Sequence, residues 1–408
     1  MNLGIETISM YVPRYGLDLR DLAAARGVDP KKYTQGIGQE FMAVPAPDED
    51  VVTMGANAAL QALAGVERDA IRTVIFATES GVDQSKAAAI YVHKLLGLSA
   101  NCRTVEMKQA CCSSTSALHF ALATVALHPQ EKVLLVASDI ARYGLGSSGE
   151  PTQGGGAVAM VISAKPQVMT LDPQVGYFTE DVMDFWRPNY LDEALVDGKY
   201  SIKVYLHALE QAWKHYQEEN GAGFEDFGHF CYHLPFSRMG LKAHLHLARL
   251  EKSGLSAAAL QAQVMPSLAY NRQIGNAYTA SLYLGLLSML ETTRAPLAGA
   301  RVGFFSYGSG CMGAFFSGTV LPGFAAGLPS MRHRELLRDR QRLTVREYEE
   351  FYRHRLPENG EMHQTARHKT GAFRFAGLDN HRRLYEHVEV VPSLAADAAE
   401  ACAAAPAH

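Results

Sequence analysis

The residues best placed for chemistry begin with a cysteine at a junction between two kinds of chain. Glu106-Met107-Lys108-Gln109-Ala110-Cys111 reads as a strand that ends at a thiol, and Cys112-Ser113-Ser114-Thr115-Ser116-Ala117-Leu118 opens an alanine-rich helix. A thiol near a helix N-terminus faces free backbone N–H groups and the positive end of the helix dipole. Both stabilise a thiolate, so Cys111 is expected to lose its proton near neutral pH and to act as a nucleophile; the alternative is an inert core cysteine. Glu79 follows another apolar run and stands beside Gly81. Partly desolvated there, a carboxylate holds a raised pKa suited to proton transfer. His233, in Cys231-Tyr232-His233-Leu234-Pro235-Phe236, also sits at a strand end and could polarise a carbonyl. Asn276 after Gly275 suits either a helix N-cap or a contact to a substrate oxygen. The turn Tyr307-Gly308-Ser309-Gly310 offers N–H groups for an oxyanion. Arg238 and Lys242, four apart, share one predicted helix face, which suits a phosphate or solvent. Cys112 reads as packing.

These side chains need strands and helices of an α/β protein to position them. Residues 71–78 form a short, β-branched, buried strand, and Ser85 to Leu96 has helical spacing closed by Gly97. Strand 102–107, helix 113–127, strand 132–138 and the strand 157–162 after Gly154-Gly155-Gly156 follow. That glycine run fails dinucleotide spacing and precedes a strand, so nucleotide binding is rejected there. The second part repeats the pattern: strand 229–232, helix 237–252, apolar helix 276–292, strand 301–306 and strand 311–320. Strand and helix alternate as in an α/β fold of two tandem similar halves, 1–165 and 229–393, and the halves share pattern rather than residue identity. Residues 166–228, rich in aromatics and acids, are too long for a plain connection and read as an insertion that walls or covers the site. Residues 330–390 are charged and helical in parts, and the alanine-rich tail 394–408 is expected to be disordered.

Composition narrows the function classes. Of 408 residues, 48% are hydrophobic and 20% charged, and the net charge is −4. No basic run or aromatic-interleaved basic patch suggests a nucleic-acid surface. The N-terminus lacks a basic-then-apolar signal, and no uninterrupted apolar stretch reaches the ~18 residues of a bilayer span, so a cytoplasmic protein without a membrane partner is expected. The six cysteines contain no C-x-x-C pair and the histidines are scattered, so no metal site is expected.

Taken together, Cys111, Glu79, His233, Asn276 and the 307–310 turn carry a resemblance. So do Gly36-Ile37-Gly38-Gln39, Ala77-Thr78-Glu79-Ser80, Ala141-Arg142-Tyr143-Gly144-Leu145, Gly149-Glu150-Pro151-Thr152-Gln153, Asp184-Phe185-Trp186-Arg187-Pro188 and Val196-Asp197-Gly198. In order and along nearly the whole chain, they resemble the hydroxymethylglutaryl-CoA synthases, thiolase-like condensing enzymes, and most closely the bacterial form. The resemblance implies a thiolase-like fold, layered α-β-α-β-α, and a homodimer. It implies acetyl transfer from acetyl-CoA to Cys111, removal of a methyl proton by Glu79, attack on the ketone of acetoacetyl-CoA positioned by His233, and hydrolysis. Asp29, Thr152, Ser201, Lys242, Asn276 and Ser309 match positions that contact substrate or CoA in that family, and Tyr143 falls in a site segment. CoA thioesters are substrates, and no cofactor or metal is implied.

Cys112 departs from the family's usual aromatic residue, and Phe373-Arg374-Phe375-Ala376-Gly377-Leu378 departs in detail. The mevalonate-pathway enzyme acting on free acetoacetyl-CoA is favoured by the 149–153 and 184–188 segments. The alternative is a polyketide β-branching synthase that works on an acyl carrier protein. A non-catalytic acyl-binding homologue is a third reading, opposed by the joint presence of Cys111, Glu79 and His233.

Overall fold

The computed structural model describes residues 2–388, so the expectation for 394–408 lies outside the described residues. Ten strands hydrogen-bond into one mixed sheet. In chain order they are β1 Gly4–Tyr11, β2 Ile71–Ala77, β3 Arg103–Met107, β4 Lys132–Ala141, β5 Gly154–Ser163, β6 Met169–Leu171, β7 Gly176–Thr179, β8 His229–Tyr232, β9 Arg301–Gly308 and β10 Met312–Val320. Across the sheet the order is β8-β9-β10-β6-β1-β5-β4-β2-β3, with β7 also on β10.

The pairing pattern repeats. In the first half β2 runs parallel to β4, β4 antiparallel to β5, and β5 antiparallel to β1. In the second, β8 runs parallel to β9, β9 antiparallel to β10, and β10 antiparallel to β6. The short strand β6 pairs with both β10 and β1 and joins the halves. Helices cover the sheet on both faces, which is why the central strands β2, β4 and β5 are almost wholly buried apolar runs.

The covering helices are α1 Val51–Ala62, α2 Ala88–Leu95, α3 Ser113–Leu127, α4 Gly198–Asn220, α5 Ser237–Leu250, α6 Ala257–Leu268 and α7 Ser281–Thr292. A capping box between Asp50 and Thr53 starts α1, and Ala, Val and Met fill its buried face. The helix expected from Ser85 begins instead at Ala88, because the Glu106 carboxylate accepts the Ala88 N–H at 2.7 Å, a cap from a distant strand that local spacing does not reveal. The glycine run 154–156 lies inside β5 rather than before it: a Cβ on Gly154 would meet the Ile274 carbonyl at 2.4 Å.

Residues 110–127, the nucleophile turn and α3, are long and apolar enough to cross a bilayer, with a mean hydropathy of 1.4, yet 56% of that window is buried inside the protein. The 166–228 segment supplies β6, β7 and the 23-residue α4, whose Trp213 and Tyr216 pack with Phe227 and Phe315 and whose Tyr205 packs with Phe305 and Tyr307. Three small sheets and the helix Val345–Arg353 lie outside the main sheet.

Candidate active site

The C-terminal ends of β2, β3 and β4 lie side by side, with Ala77 opposite both Met107 and Ala137. The chain beyond each end therefore converges. Glu79 leaves β2, Cys111 leaves β3, and Asp139 stands near the end of β4. The Cys111 thiol donates to Glu79 Oε1 at 2.9 Å. Asp139 is fully buried and holds that end of the sheet together: its Oδ1 accepts from the Glu79 N–H at 2.9 Å and the Thr78 hydroxyl at 2.8 Å, and its Oδ2 accepts from the Thr279 N–H and hydroxyl at 3.1 and 2.5 Å. The Arg187 guanidinium donates to the Glu79 carbonyl from the 184–188 segment.

Electrostatics at this pair overturn one expectation. Cys111 is no low-pKa thiolate. Burial, then the Glu79 carboxylate, hold its thiol well above the ordinary value. The helix begins only at Ser113, and Cys112 takes the flanking position, so the dipole acts less directly than the spacing implied. Glu79 is pushed up to about 8, first by burial and then by Asp139, with its hydrogen bond to Cys111 and Arg187 opposing. The pair is thus a neutral thiol beside a carboxyl of high proton affinity, suited to passing a proton as the sulfur attacks.

His233 continues β8 as Glu79 continues β2. Its backbone N–H donates to the Phe305 carbonyl at 2.8 Å, and its carbonyl accepts from Tyr205 at 2.9 Å, which fixes the backbone that carries the imidazole. Burial lowers its pKa to about 3, so the ring is neutral, and Nδ1 has no hydrogen-bond partner among the described residues. Asn276 does not cap a long helix. A turn at 278–280 intervenes, and Asn276 Oδ1 accepts from the Tyr278 N–H and the Ser281 hydroxyl at 2.9 and 3.0 Å. Its –NH2 remains for the cavity it lines.

That cavity has a volume of about 690 Å³ and is lined by Cys111, Tyr143, Thr152, Ser201, His233, Asn276 and Ser309. Tyr143, Phe185 and Tyr278 pack edge-to-face around Cys111. Arg238, Lys242 and Asp29 do not line it and are exposed. Arg238 follows Phe236 and precedes Met239, which do line it, so the basic pair stands on the rim; Arg238 donates to the Gln35 carbonyl at 2.6 Å. Asp29 turns back on its own backbone, accepting the Lys31 N–H. The 308–310 turn is not free to bind an oxyanion at Gly310, whose N–H donates to Asp184 Oδ1 at 2.9 Å.

Sequence reasoning passed over Asp139 and took Tyr278 only as part of a segment. An acid at the end of the apolar run 132–138 was the available signal for Asp139. Asp184 appeared only as part of the aromatic-acidic segment; in the fold it also accepts from Tyr307 and Ser201 at 2.6 and 3.1 Å and ties 184–188 to the site. No cluster of three or more metal-ligating side chains occurs among the described residues.

Comparison with known proteins matches this architecture. A family model described as hydroxymethylglutaryl-coenzyme A synthase N terminal covers residues 1–167, and its C-terminal counterpart covers 169–253 and 248–387. A hydroxymethylglutaryl-CoA synthase of Enterococcus faecalis is 42% identical over 86% of this chain and 92% of its own. A polyketide biosynthesis 3-hydroxy-3-methylglutaryl-ACP synthase of Bacillus subtilis is 35% identical over 86% and 88%. A crystal structure of an HMG-CoA synthase complexed with CoA superposes with a TM-score of 0.91 at 40% identity, covering 95% of this chain and all of that one. With both family models matched across nearly its whole length, the chain belongs to the hydroxymethylglutaryl-CoA synthase family.

Proposed function

We propose that this enzyme condenses acetyl-CoA with acetoacetyl-CoA and water to give 3-hydroxy-3-methylglutaryl-CoA and CoA. The observation that carries the reading is the Cys111–Glu79 contact of 2.9 Å at a cavity that His233 also lines. In the first step the Cys111 sulfur attacks the acetyl carbonyl while Glu79 takes the thiol proton, then returns it to the departing CoA sulfur. In the second, Glu79 removes a proton from the acetyl methyl. The resulting carbon nucleophile attacks the ketone carbon of acetoacetyl-CoA, and His233 donates to the ketone oxygen as it gains charge. Water then cleaves the Cys111 thioester, which restores the thiol and leaves the new carboxyl on the product. Asn276, Tyr143, Thr152, Ser201 and Ser309 hold substrate in this reading, Arg238 and Lys242 meet the phosphates of CoA at the rim, and Asp29 accepts from an uncharged donor of CoA.

The proposal includes a homodimer in a cytoplasmic mevalonate route, with no cofactor beyond the thioesters. Supporting the dimer, β3 is an edge strand with Val105 38% exposed, and the neighbouring α3 exposes Phe120 and Leu127 at 60% and 77%.

The test follows loss of acetoacetyl-CoA absorbance on adding acetyl-CoA, beside the same reaction with acetyl and acetoacetyl carrier proteins. Turnover of the free CoA substrates is expected; activity on carrier-bound partners alone would replace this reading with polyketide branching. Mass spectrometry should find an acetyl adduct on wild-type Cys111 and none in Cys111→Ala. Glu79→Ala should slow acetylation and reduce condensation by about 10²–10⁴-fold, the usual worth of a positioned base.

A further inference from the structure

A second cavity, about 460 Å³, lies on the other side of Ala141 and Arg142 from the site. Its walls come from residues 42–50, from the helix Val345–Arg353 and the turn after it, and from the 373–387 hairpin. Val44, Pro45, Ile140, Phe351 and Phe375 make one side apolar. Arg142 and Arg355 make the other cationic, with His354 next to Arg355 held neutral by burial and by the neighbouring cations.

Arg142 is left there without a carboxylate partner among the described residues. Arg142 and Arg355 both donate to a single acceptor, the Tyr352 carbonyl, Arg355 at 2.8 Å. The Arg142 guanidinium also lies 4.2 Å from the Tyr352 ring centre. Arg355 pairs only with Asp192, at 3.2 Å on the exposed side, and Arg142 makes no ion pair among the described residues. Arg142 Nε and His354 Nε2 are buried with no hydrogen-bond partner. A buried guanidinium N–H without a partner is costly unless an acceptor arrives. The cavity's own carboxylates do not supply it. Asp50 is engaged by Tyr385, Thr53 and Arg383, Glu49 by Tyr11 and the Ala46 N–H, and Glu358 is exposed at the edge.

We propose that this cavity binds a small monocarboxylate with a short apolar tail, its carboxylate on Arg142 and Arg355 and its tail along Val44, Ile140 and Phe351. Guanidinium groups match the planar two-oxygen acceptor, and the acids at the rim oppose a dianionic phosphate. The ligand would not enter the condensation site, although the wall is shared: the Arg142 N–H donates to the Tyr278 hydroxyl at 3.3 Å, and Ala141 packs with Cys111. The inference stands independently of the condensation reading.

Isothermal titration of the full chain with hexanoate, and separately with inorganic phosphate, tests it. Saturable hexanoate binding is expected, weakened at least tenfold in Arg142→Gln and in Arg355→Glu. Arg355 is half exposed, so its variant keeps the test open if Arg142→Gln fails to fold. The proposal is overturned by the absence of saturable hexanoate binding. Unchanged affinity in a folded Arg355→Glu variant, or phosphate binding as tightly as hexanoate, would overturn it too.

Discussion

At the scale of single residues, Glu79 carries most of the chemistry and a cost. Its folded pKa of about 8 exceeds the ordinary carboxylate value, so the folded state holds a proton that the unfolded chain gives up. The base form grows as pH rises towards 8, and the rate at saturating substrate should climb across that range and then level. His233, at about 3, contributes no step near 6.5. A pH–rate profile with its main inflection near 6.5 would contradict both assignments. The same shift sets stability. Below the unfolded pKa the carboxyl is protonated in both states and costs nothing; as pH rises through the folded value, the folded state loses ground. Glu79→Gln should therefore be the more stable protein at pH 8, by roughly 1–3 kcal/mol, with the gain vanishing near pH 4 in thermal melts. Glu79 and His233 were legible in sequence because each follows an apolar run, where strand ends meet a cleft, and Cys111 because it stands where a strand gives way to an alanine-rich helix. The proton affinity of Cys111 was not legible, since it depends first on burial and then on Glu79, 32 residues earlier.

At the scale of elements, the site depends on loops packed backbone against backbone. A Cβ on Gly308, at the end of β9, would lie 2.4 Å from the Gln109 carbonyl and 2.8 Å from the Cys112 N–H. Nothing flexible stands there to yield, so Gly308→Ala must displace the turn that holds Cys111. We expect acetylation of Cys111, followed by mass spectrometry, to slow by at least tenfold, because small misplacements of a reacting group are expensive. Gly275 is held as tightly: at φ +87 its missing Cβ would overlap the Gln153 carbonyl. The apolar strands 71–77 and 132–141 were readable as runs of buried residues. Strand β1 was not, because Glu6, Thr7 and Ser9 interrupt its pattern; its interior polar groups are satisfied by Lys132, the Ala62 carbonyl and His333. Pairing partners that far along the chain leave no local trace.

At the scale of the whole molecule, the repeated strand order puts Glu79 and His233 at equivalent places, each just past a parallel strand. Cys111 and Asn276 likewise precede α3 and α7. The pattern repeated in the sequence is matched by a repeated strand pairing, and in the proposed mechanism it sets acetyl chemistry on one half and ketone positioning on the other. A buried chain of contacts holds the C-terminal segment to this frame. His333 Nδ1 donates to Glu291 at 2.6 Å, and its Nε2 lies 3.0 Å from the Ser9 hydroxyl and accepts the Met10 N–H. The set imitates a hydrolase triad, but neither cavity reaches it. His333→Ala should cost about 3–5 kcal/mol in denaturant melts by stranding a buried acid, while leaving no new esterase activity. The exposed edge makes a further test: Phe120→Asp should leave the melt intact but convert a dimer to monomers in sedimentation. Helix α3 also has a history during synthesis. Thr115 bonds Tyr283, 168 residues later in the chain. The strands that cover this helix, β2, β4 and β5, belong to its own half, so at about 5–20 residues per second it is the contacts from the second half that come last, roughly 10–30 s after the helix is made. The nucleophile turn is therefore finished late: the first half can bury its own helix, but the groups that seat Cys111, Thr279 on Asp139 and Gly308 against Gln109, arrive only once the ribosome has delivered the second half.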